Sequence, residues 1–355
     1  MKKPMWQRFK NSLFYIRWSS WEYYPAYLTN IPVVFFWLFF SIKARSLFFF
    51  SAANPAIETG GVLGESKIKI IRQIPEKYRP ITVFVPQKTP FADVLQWLTT
   101  AQLEFPLIAK PDVGERGLLV EKLVSNEDLQ QYHHKNQLDF LIQEFVDYPI
   151  EAAILHYRYP HQSQGVVSSI CLKEFLTIEG DGQSTVLELM KKKPRAKLQI
   201  ERLSPSLAEK GLLNSIPLKG EKVELSAIGN HCKGAMFLNG NNLIDDELRK
   251  VFDQISLQLK GISFCRYDLK CQNMIDLKKG KNFKILEING VAAEPAHIYD
   301  PNYSVVQAYK DLYKQWKVIY EISYYQHRNG VEYMTFGEAK KAVKKYLAYM
   351  KEAEK

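Results

Sequence analysis

Cysteine is scarce in this chain: four residues in 355, at Cys171, Cys232, Cys265 and Cys271. No two form a CxxC pair and the spacings fit no zinc site, so neither a structural zinc nor a disulfide framework is expected. Buried free thiols in a reducing compartment are expected instead. Long hydrophobic runs are lacking too. The most apolar stretch, Ile31 to Ile42, falls short of the roughly 20 residues a spanning helix needs. Extending it back to Tyr23 reaches that length only by taking in Pro25, Asn30 and Pro32. The basic region ahead of it is too long, and no small-residue cleavage site follows closely, so a secretory signal is not expected. Internal repeats and low-complexity tracts are absent. So is any nucleic-acid-binding motif, which leaves nucleic acid an unexpected partner despite a net charge of +10.

Hydrophobic residues make up 46% of the chain and charged residues 24%, the balance of an ordinary folded protein. The length allows one large core or two to three smaller ones. The positive excess suits anionic partners, whether nucleotides, acidic substrates or an anionic membrane face.

Residues 1–50 differ from the rest. Lys2, Lys3, Arg8, Lys10 and Arg17 surround aromatic residues, followed by Trp21-Glu22-Tyr23-Tyr24-Pro25 and the run from Ile31 to Ile42, with Lys43 and Arg45 beyond it. An aromatic belt with basic flanks fits a helix lying along, or dipping into, a membrane interface. A single span and a buried core helix are the competing readings. The preferred one places the protein in the cytoplasm, against the inner face of the cell membrane.

Residues 51–80 read as a connector, punctuated by Asn54-Pro55, Gly60-Gly61 and Gly64, with a short helix near Lys67. From Ile81 strands and helices alternate. Strands are expected over Ile81–Val85, Leu107–Lys110, Gly117–Leu123, Phe140–Val146, Glu151–Tyr157 and Gly165–Ile178. Helices are expected over Ala92–Gln102 and, capped by Asn126, through Tyr132. Residues 195–240 are weakly patterned. Asp245 to Leu259 is an amphipathic helix, and Tyr303 to Tyr320 another. Thr335 and Glu338 form a capping box opening a last, lysine-rich helix. The expected division is 1–50 membrane contact, 51–80 connector, 81–146 a first subdomain, 147–300 a second, and 301–355 C-terminal helices.

Three places carry candidate chemistry. The first is Leu107-Ile108-Ala109-Lys110 followed by a turn with Gly114 and Gly117. A Walker loop has its lysine after the glycines, opening a helix; here the lysine precedes them, on a strand. Such a lysine can set its charge on phosphates while the glycine-bearing turn folds over them. The second is Gln143-Glu144-Phe145-Val146, a hinge able to offer backbone groups to adenine, with Glu151 able to accept from ribose hydroxyls. The third is Arg266-Tyr267-Asp268 with Glu287-Ile288-Asn289. Asp268, Glu287 and Asn289 are oxygen donors suited to Mg²⁺, and Arg266 can neutralise charge developing in phosphoryl transfer. Each pattern taken singly is equally compatible with a solvated strand end.

Their order resembles the ATP-grasp superfamily, in particular the branch holding D-alanine–D-alanine ligase, the cyanophycin synthetases and the glutamate ligases. Lys173-Glu174-Phe175 and Gly180-Asp181-Gly182-Gln183-Ser184-Thr185 add to this, being similar to a Gly-Asp-Gly-x-Ser-Thr stretch of the cyanophycin synthetase branch. The resemblance covers about residues 80–300. It implies an α+β fold with a nucleotide cleft between two antiparallel sheets, here joined by an apolar N-terminal helical segment and C-terminal helices. It implies that Lys110 and Lys173 contact ATP phosphates, that Gly114 and Gly117 belong to a covering loop, and that Glu144 and Glu151 bind adenine and ribose. Arg266 would stabilise an acyl-phosphate and a tetrahedral intermediate. Asp268, Glu287 and Asn289 would hold two Mg²⁺ ions, with Mn²⁺ as a substitute.

The implied reaction is ATP-dependent, ADP-forming activation of a small or amphiphilic carboxylate for attack by an amine or another nucleophile. The alternatives are a kinase acting on a hydroxyl and a nucleotide-binding protein without turnover. The chain departs from the superfamily in having no N-terminal α/β domain before residue 80. Its Asn230-His231-Cys232-Lys233-Gly234-Ala235 segment matches no specific pattern. His231 and His297 are candidate bases, each more readily read as structural.

Overall fold

The computed structural model describes residues 12–19, 21–24, 29–115, 117–226, 229, 231 and 234–353. Arg116, Asn230, Cys232, Lys233 and the basic residues before position 12 lie outside them. The N-terminal part holds α1 (Leu13–Ser19), α2 (Ile31–Ala44) and α3 (Lys67–Ile71). Next come β1 (Thr82–Val85), α4 (Phe91–Thr100), β2 (Leu107–Pro111), β3 (Glu121–Leu123), α5 (Asn126–Lys135) and β4 (Phe140–Glu144). These strands form one antiparallel sheet in the order β1-β4-β2-β3.

The larger part contains β5 (Ile150–Tyr157), β6 (Val166–Glu174), β7 (Leu176–Glu179), α6 (Val186–Lys192), α7 (Pro194–Lys197) and α8 (Ile200–Glu209). It continues with β8 (Lys222–Ser226), β9 (Met236–Asn239), α9 (Asp246–Ser256), β10 (Phe264–Cys271), α10 (Met274–Lys278) and β11 (Phe283–Asn289). Its main sheet runs β11-β10-β5-β6-β9, and β7 and β8 pair separately. Every strand pairing among the described residues is antiparallel. The chain ends in α11 (Val305–Arg328) and α12 (Phe336–Ala353). The architecture is thus α+β, with two antiparallel sheets facing across a cleft.

Strand periodicity builds both the core and the site. Along β10, Tyr267, Leu269 and Cys271 point into the core with Leu248, Val251, Phe252 and Ile255 of α9. The alternate residues Arg266, Asp268 and Lys270 therefore face the other way, into the cleft. A second core under the smaller sheet gathers Val85, Val94, Leu98, Leu107, Leu129 and Phe140. A third, rich in aromatics, joins Phe40, Phe49 and Phe50 to Phe264, Ile319 and Ile322.

Several local expectations need correction. The strand expected over Gly117–Leu123 is confined to Glu121–Leu123, because Gly117 and Leu119 adopt positive φ and break the extended run. The helix cap is Ser125, whose Oγ accepts from the Asp128 amide, rather than Asn126. The single strand expected over Gly165–Ile178 is two strands interrupted at Phe175. Residues 195–240 contain α8, β8 and β9; β8 and β9 are too short to show a clear period, and in α8 the helical spacing of Ile200, Leu203 and Leu207 is disguised by Pro205. The Thr335–Glu338 capping box is present in both directions, but the Val343–Leu347 row of α12 is exposed, and Ala339 is the buried position.

The apolar N-terminal helix is a core helix on one side only. Phe40 is buried against Tyr320 and Tyr313 of α11, as in a core helix, while the opposite face is exposed. Among the described residues, no helix is long and apolar enough to cross a membrane.

Candidate functional site

The cleft is lined from both sheets and from the connector, with a volume of about 470 Å³. Its floor is the polar face of the main sheet. Register places Arg266 opposite Asn289 and Asp268 opposite Glu287 across β10 and β11. Lys270 lies opposite Glu151 of β5, which in turn lies opposite Lys173 of β6. Paired residues on one sheet face hold their Cβ atoms about 5 Å apart, so this alternation packs six charged groups and an amide into one patch. A register shift between Asp268 and Leu269 interrupts the β10–β11 ladder there.

Arg266 grips Asp268 with both arms of its fork: Nε donates to Oδ1 at 2.8 Å and Nη2 to Oδ2 at 3.1 Å. Lys173 Nζ donates to Glu151 Oε1 at 2.9 Å and lies 3.5 Å from Asp268 Oδ2. Burial alone would neutralise these groups, but their mutual attraction outweighs it. Burial works to raise the Asp268 pKa, yet Arg266 and Lys173 hold it below the usual carboxylate value. Burial likewise works to lower the Lys173 pKa, and Asp268 and Glu151 raise it above the usual lysine value.

Lys110 sits in the seam between the sheets. It projects from β2, and its Nζ donates to Gln143 Oε1 on β4 and across the seam to the Leu286 carbonyl of β11, both at 3.1 Å. Burial is the largest cause lowering its pKa, and Lys67 adds to it against the pull of Glu287, leaving it at about 8. A buried cation held by neutral oxygens is an anion acceptor short of its anion.

The glycine-bearing turn covers the cleft as the sequence suggests: Gly114 and Gly117 both line it, at φ 138° and 72°. The hinge residues Gln143, Glu144, Phe145 and Val146 line it as well. Glu144 is tied back to β1, its Oε2 accepting from the Ile81 amide at 2.8 Å. Glu151 also reaches the cleft, but its carboxylate is already engaged by Lys173 and lies beside Gly229. The sequence-derived residues Lys110, Gly114, Gly117, Glu144, Glu151, Lys173, Arg266, Asp268, Glu287 and Asn289 all line this one cleft.

The two histidines do not. His231 Nε2 lies 3.0 Å from Glu22 Oε2, in a cluster with Arg195. His297 is buried, its Nδ1 2.7 Å from Ser169 Oγ and its Nε2 3.4 Å from Asp311 Oδ2. Both are bound into polar networks away from the cleft.

Other residues were missed. Lys67, on α3 of the supposed connector, donates to the Gly114 carbonyl and lies 3.9 Å from Glu287 Oε1. It therefore links the covering turn to the floor. Gly61 and Val62 close one end of the cleft because the Gly60–Gly61 turn lies on Gly290: the Val291 and Ala292 amides donate to the Gly60 and Gly61 carbonyls at 3.1 Å. A Cβ on Gly61 would come 2.5 Å from the Gly290 Cα. The doubled glycine was the available signal, although it looked like ordinary loop punctuation. Lys270 was missed because only its strand position, shared with Arg266 and Asp268, marks it.

The donor set accommodates a divalent cation. Glu287 and Asn289 are hard oxygen donors on one strand face, and the buried, unpartnered Asn289 Nδ2 is a donor that an anionic oxygen, such as one of a phosphate, would satisfy. Glu65 faces the same space, its pKa raised first by burial and then by Glu115 and Glu287, while Lys67 acts against that rise. A cation would relieve that repulsion. Asp268 as found serves Arg266 and Lys173. Among the described residues no group of three His, Cys, Asp or Glu side chains forms a ready-made metal cage, which accords with an ion completed by waters and phosphate oxygens.

No family model matches the chain, and no curated protein sequence matches it. Among solved structures, the VanG D-Ala:D-Ser ligase from Enterococcus faecalis is similar at 12% identity and a TM-score of 0.41, over 73% of this chain and 63% of that one. The D-alanine–D-alanine ligase from Bacillus anthracis is similar at 12% identity and a TM-score of 0.44, over 79% and 73%. A bifunctional glutathione synthetase from Pasteurella multocida is similar at 17% identity and a TM-score of 0.39, over 70% and 36%. With each TM-score below 0.5, these are partial likenesses of backbone, and the chemistry rests on the site itself.

Proposed function

We propose that the chain is an ATP- and Mg²⁺-dependent ligase of the ATP-grasp type, activating a carboxylate as an acyl-phosphate for attack by an amine or another nucleophile. The observation that carries this reading is Lys110: a buried lysine in the seam between two sheets, under a glycine-bearing turn, with Arg266, Asp268, Glu287 and Asn289 on the facing floor. Such a site takes up a polyanion, because phosphate oxygens would restore the charge stabilisation that burial denies Lys110.

In this reading the adenine lies along Gln143–Val146 and the phosphates run beneath Gly114 and Gly117. Lys110 and Lys173 bind phosphate oxygens as point charges. Glu287 and Asn289 would hold the divalent ions, which when bound supply positive charge against the phosphates. Arg266 then faces the carboxylate oxygen as it attacks the γ-phosphate, and later the oxyanion of the tetrahedral intermediate. Asp268 keeps the guanidinium oriented. Lys67 holds the covering turn down, limiting water around a reactive anhydride. The chain's own part is positioning and charge neutralisation, with no protein nucleophile.

The substrate is proposed to be a small or amphiphilic carboxylate and the working place the inner face of the cell membrane. The support for that location is the exposed apolar side of α2 with its basic flank. Hydroxylamine trapping tests the chemistry. Incubation with MgATP, candidate carboxylates and hydroxylamine is expected to yield a hydroxamate together with ADP. A stable phosphoester without hydroxamate would instead establish a kinase.

A further inference from the structure

Helix α2 has no polar face. Its first fourteen positions from Ile31 are apolar apart from Ser41 and Lys43. At 100° per residue, Val33, Phe36, Trp37, Phe40 and Ala44 fall on one side, and these pack against the aromatic core and α11. Ile31, Val34, Phe35, Leu38, Phe39 and Ile42 fall within an arc of roughly 140° on the other side. All six are exposed, Phe35 by 63% and Ile42 by 77%. Leu47, just past the helix, adds to them at 47%. Among the described residues nothing covers this arc. Single exposed apolar residues are commonplace, whereas a contiguous face of this composition marks a contact surface.

We infer that this outward arc of α2 is a lipid-docking surface that lays the helix flat in the interface of an anionic bilayer. The inference rests on the membrane location proposed above and names the surface responsible for it. Two observations select lipid as the occupant. First, the geometry forbids a span: fourteen residues extend about 21 Å against a hydrocarbon core of about 30 Å. The inner side of α2 is also fixed to α11 by Phe36 and Phe40 against Tyr313 and by Phe40 stacked on Tyr320.

Second, the rim carries one sign of charge. Lys43, poised over the Tyr320 ring at 5.2 Å, and Arg45 flank the C-terminal end, and no acidic residue occurs from Ile31 to Ile57. With a net charge of +10 on the whole chain, that rim repels a second copy and attracts anionic headgroups.

The surface also has a fixed relation to the cleft. The Gln315 amide of α11 donates to the Ala293 carbonyl at 2.9 Å, and Ala293 lines the cleft's closed end. Docking α2 would therefore hold that end of the site at a fixed position relative to the membrane.

The test is co-sedimentation of the full chain with vesicles of phosphatidylcholine alone, or of three parts phosphatidylcholine to one part phosphatidylglycerol, at low and high salt. Binding to the anionic vesicles, weakened by salt, is expected. Phe35→Ser/Phe39→Ser/Ile42→Ser is expected to lower vesicle binding at least tenfold. Phe35→Leu/Phe39→Leu/Ile42→Leu should bind like the unaltered chain, which separates lost apolarity from lost fold. Lys43→Gln/Arg45→Gln should remove the preference for anionic vesicles.

Equal sedimentation of the unaltered chain and the triple serine variant would overturn the inference. So would a dimer of the unaltered chain that ignores vesicles and is dissociated by the serine substitutions. ATP turnover, followed in parallel without vesicles, keeps the two readings apart: turnover without vesicle binding refutes the surface alone, and vesicle binding without turnover refutes the ligase alone.

Discussion

Replacing Lys110 with methionine removes the buried charge in the seam and keeps most of the side-chain volume. In the unaltered protein the Lys110 pKa lies at about 8 against its usual 10.5. A lysine whose folded pKa is depressed opposes folding at neutral pH, and that cost is relieved as pH rises through the folded value toward the unfolded one. A depression of this size corresponds to roughly 3 kcal/mol at pH 7. Integrating proton binding from pH 7 to 9, the unaltered chain should gain about 1 kcal/mol of stability that Lys110→Met does not gain. The substitution also leaves Gln143 Oε1 and the Leu286 carbonyl without the lysine donor, at about 1–3 kcal/mol each. At pH 7 the two effects largely offset, so the variant should fold with nearly unchanged stability.

Its response to nucleotide should not survive. A ligand at one hundred times its Kd stabilises the unaltered fold by ~2.7 kcal/mol, and Lys110→Met should lose most of that. Thermal unfolding of both proteins at pH 7 and pH 9, with and without MgATP, measures all four quantities. If the variant retained the full MgATP-induced stabilisation, or if both proteins showed the same change from pH 7 to 9, the account of Lys110 would be wrong.

Four further outcomes are expected. Glu287→Gln should abolish turnover, lowering it by at least a hundredfold with little change in Tm, because Glu287 has no close ion-pair partner beyond Lys67 at 3.9 Å. Asp268→Asn should abolish turnover as well and in addition cost about 3 kcal/mol, since it leaves Arg266 and Lys173 partly unpaired in a buried site; denaturant unfolding separates the two variants. Gly290→Ala should destabilise the fold by about 2–3 kcal/mol and lower nucleotide affinity, because its Cβ would lie 2.5 Å from the Gly60 carbonyl oxygen and push the Gly60–Gly61 turn off the cleft. Cys171, Cys265 and Cys271 are buried, which holds their thiols up at about 12; they should react with a thiol reagent at pH 8 only after denaturation.

The linear sequence determined the strands that bear the site and the facing of their side chains. Period-two alternation commits Arg266, Asp268 and Lys270 to one face once Tyr267, Leu269 and Cys271 are claimed by the core. The same rule directs Glu287 and Asn289 to that face, and the strand–lysine–glycine order at Lys110 to Gly117 presents a turn beside it. The α+β class and its two sheets were legible for this reason, since each depends on local pattern. The amphipathic period of α9 was equally plain. Where elements are short, as in β8 and β9, the period was too brief to read, and in α8 Pro205 disguised the helical spacing of Ile200, Leu203 and Leu207.

Long-range packing alone decided the rest. Nothing local joins Lys67 to Gly114 and Glu287, or lays Gly60–Gly61 on Gly290; those contacts arise because residues 51–80 fold back across the cleft instead of bridging two domains. Pairing also decided that Asp268 serves Arg266 and Lys173, and that His231 and His297 turn to Glu22, Ser169 and Asp311. In α2 the residue types are nearly uniform around the helix, so composition could not say which side is covered. The position of α11 settled that, since a side chain's environment is set by what the fold brings against it.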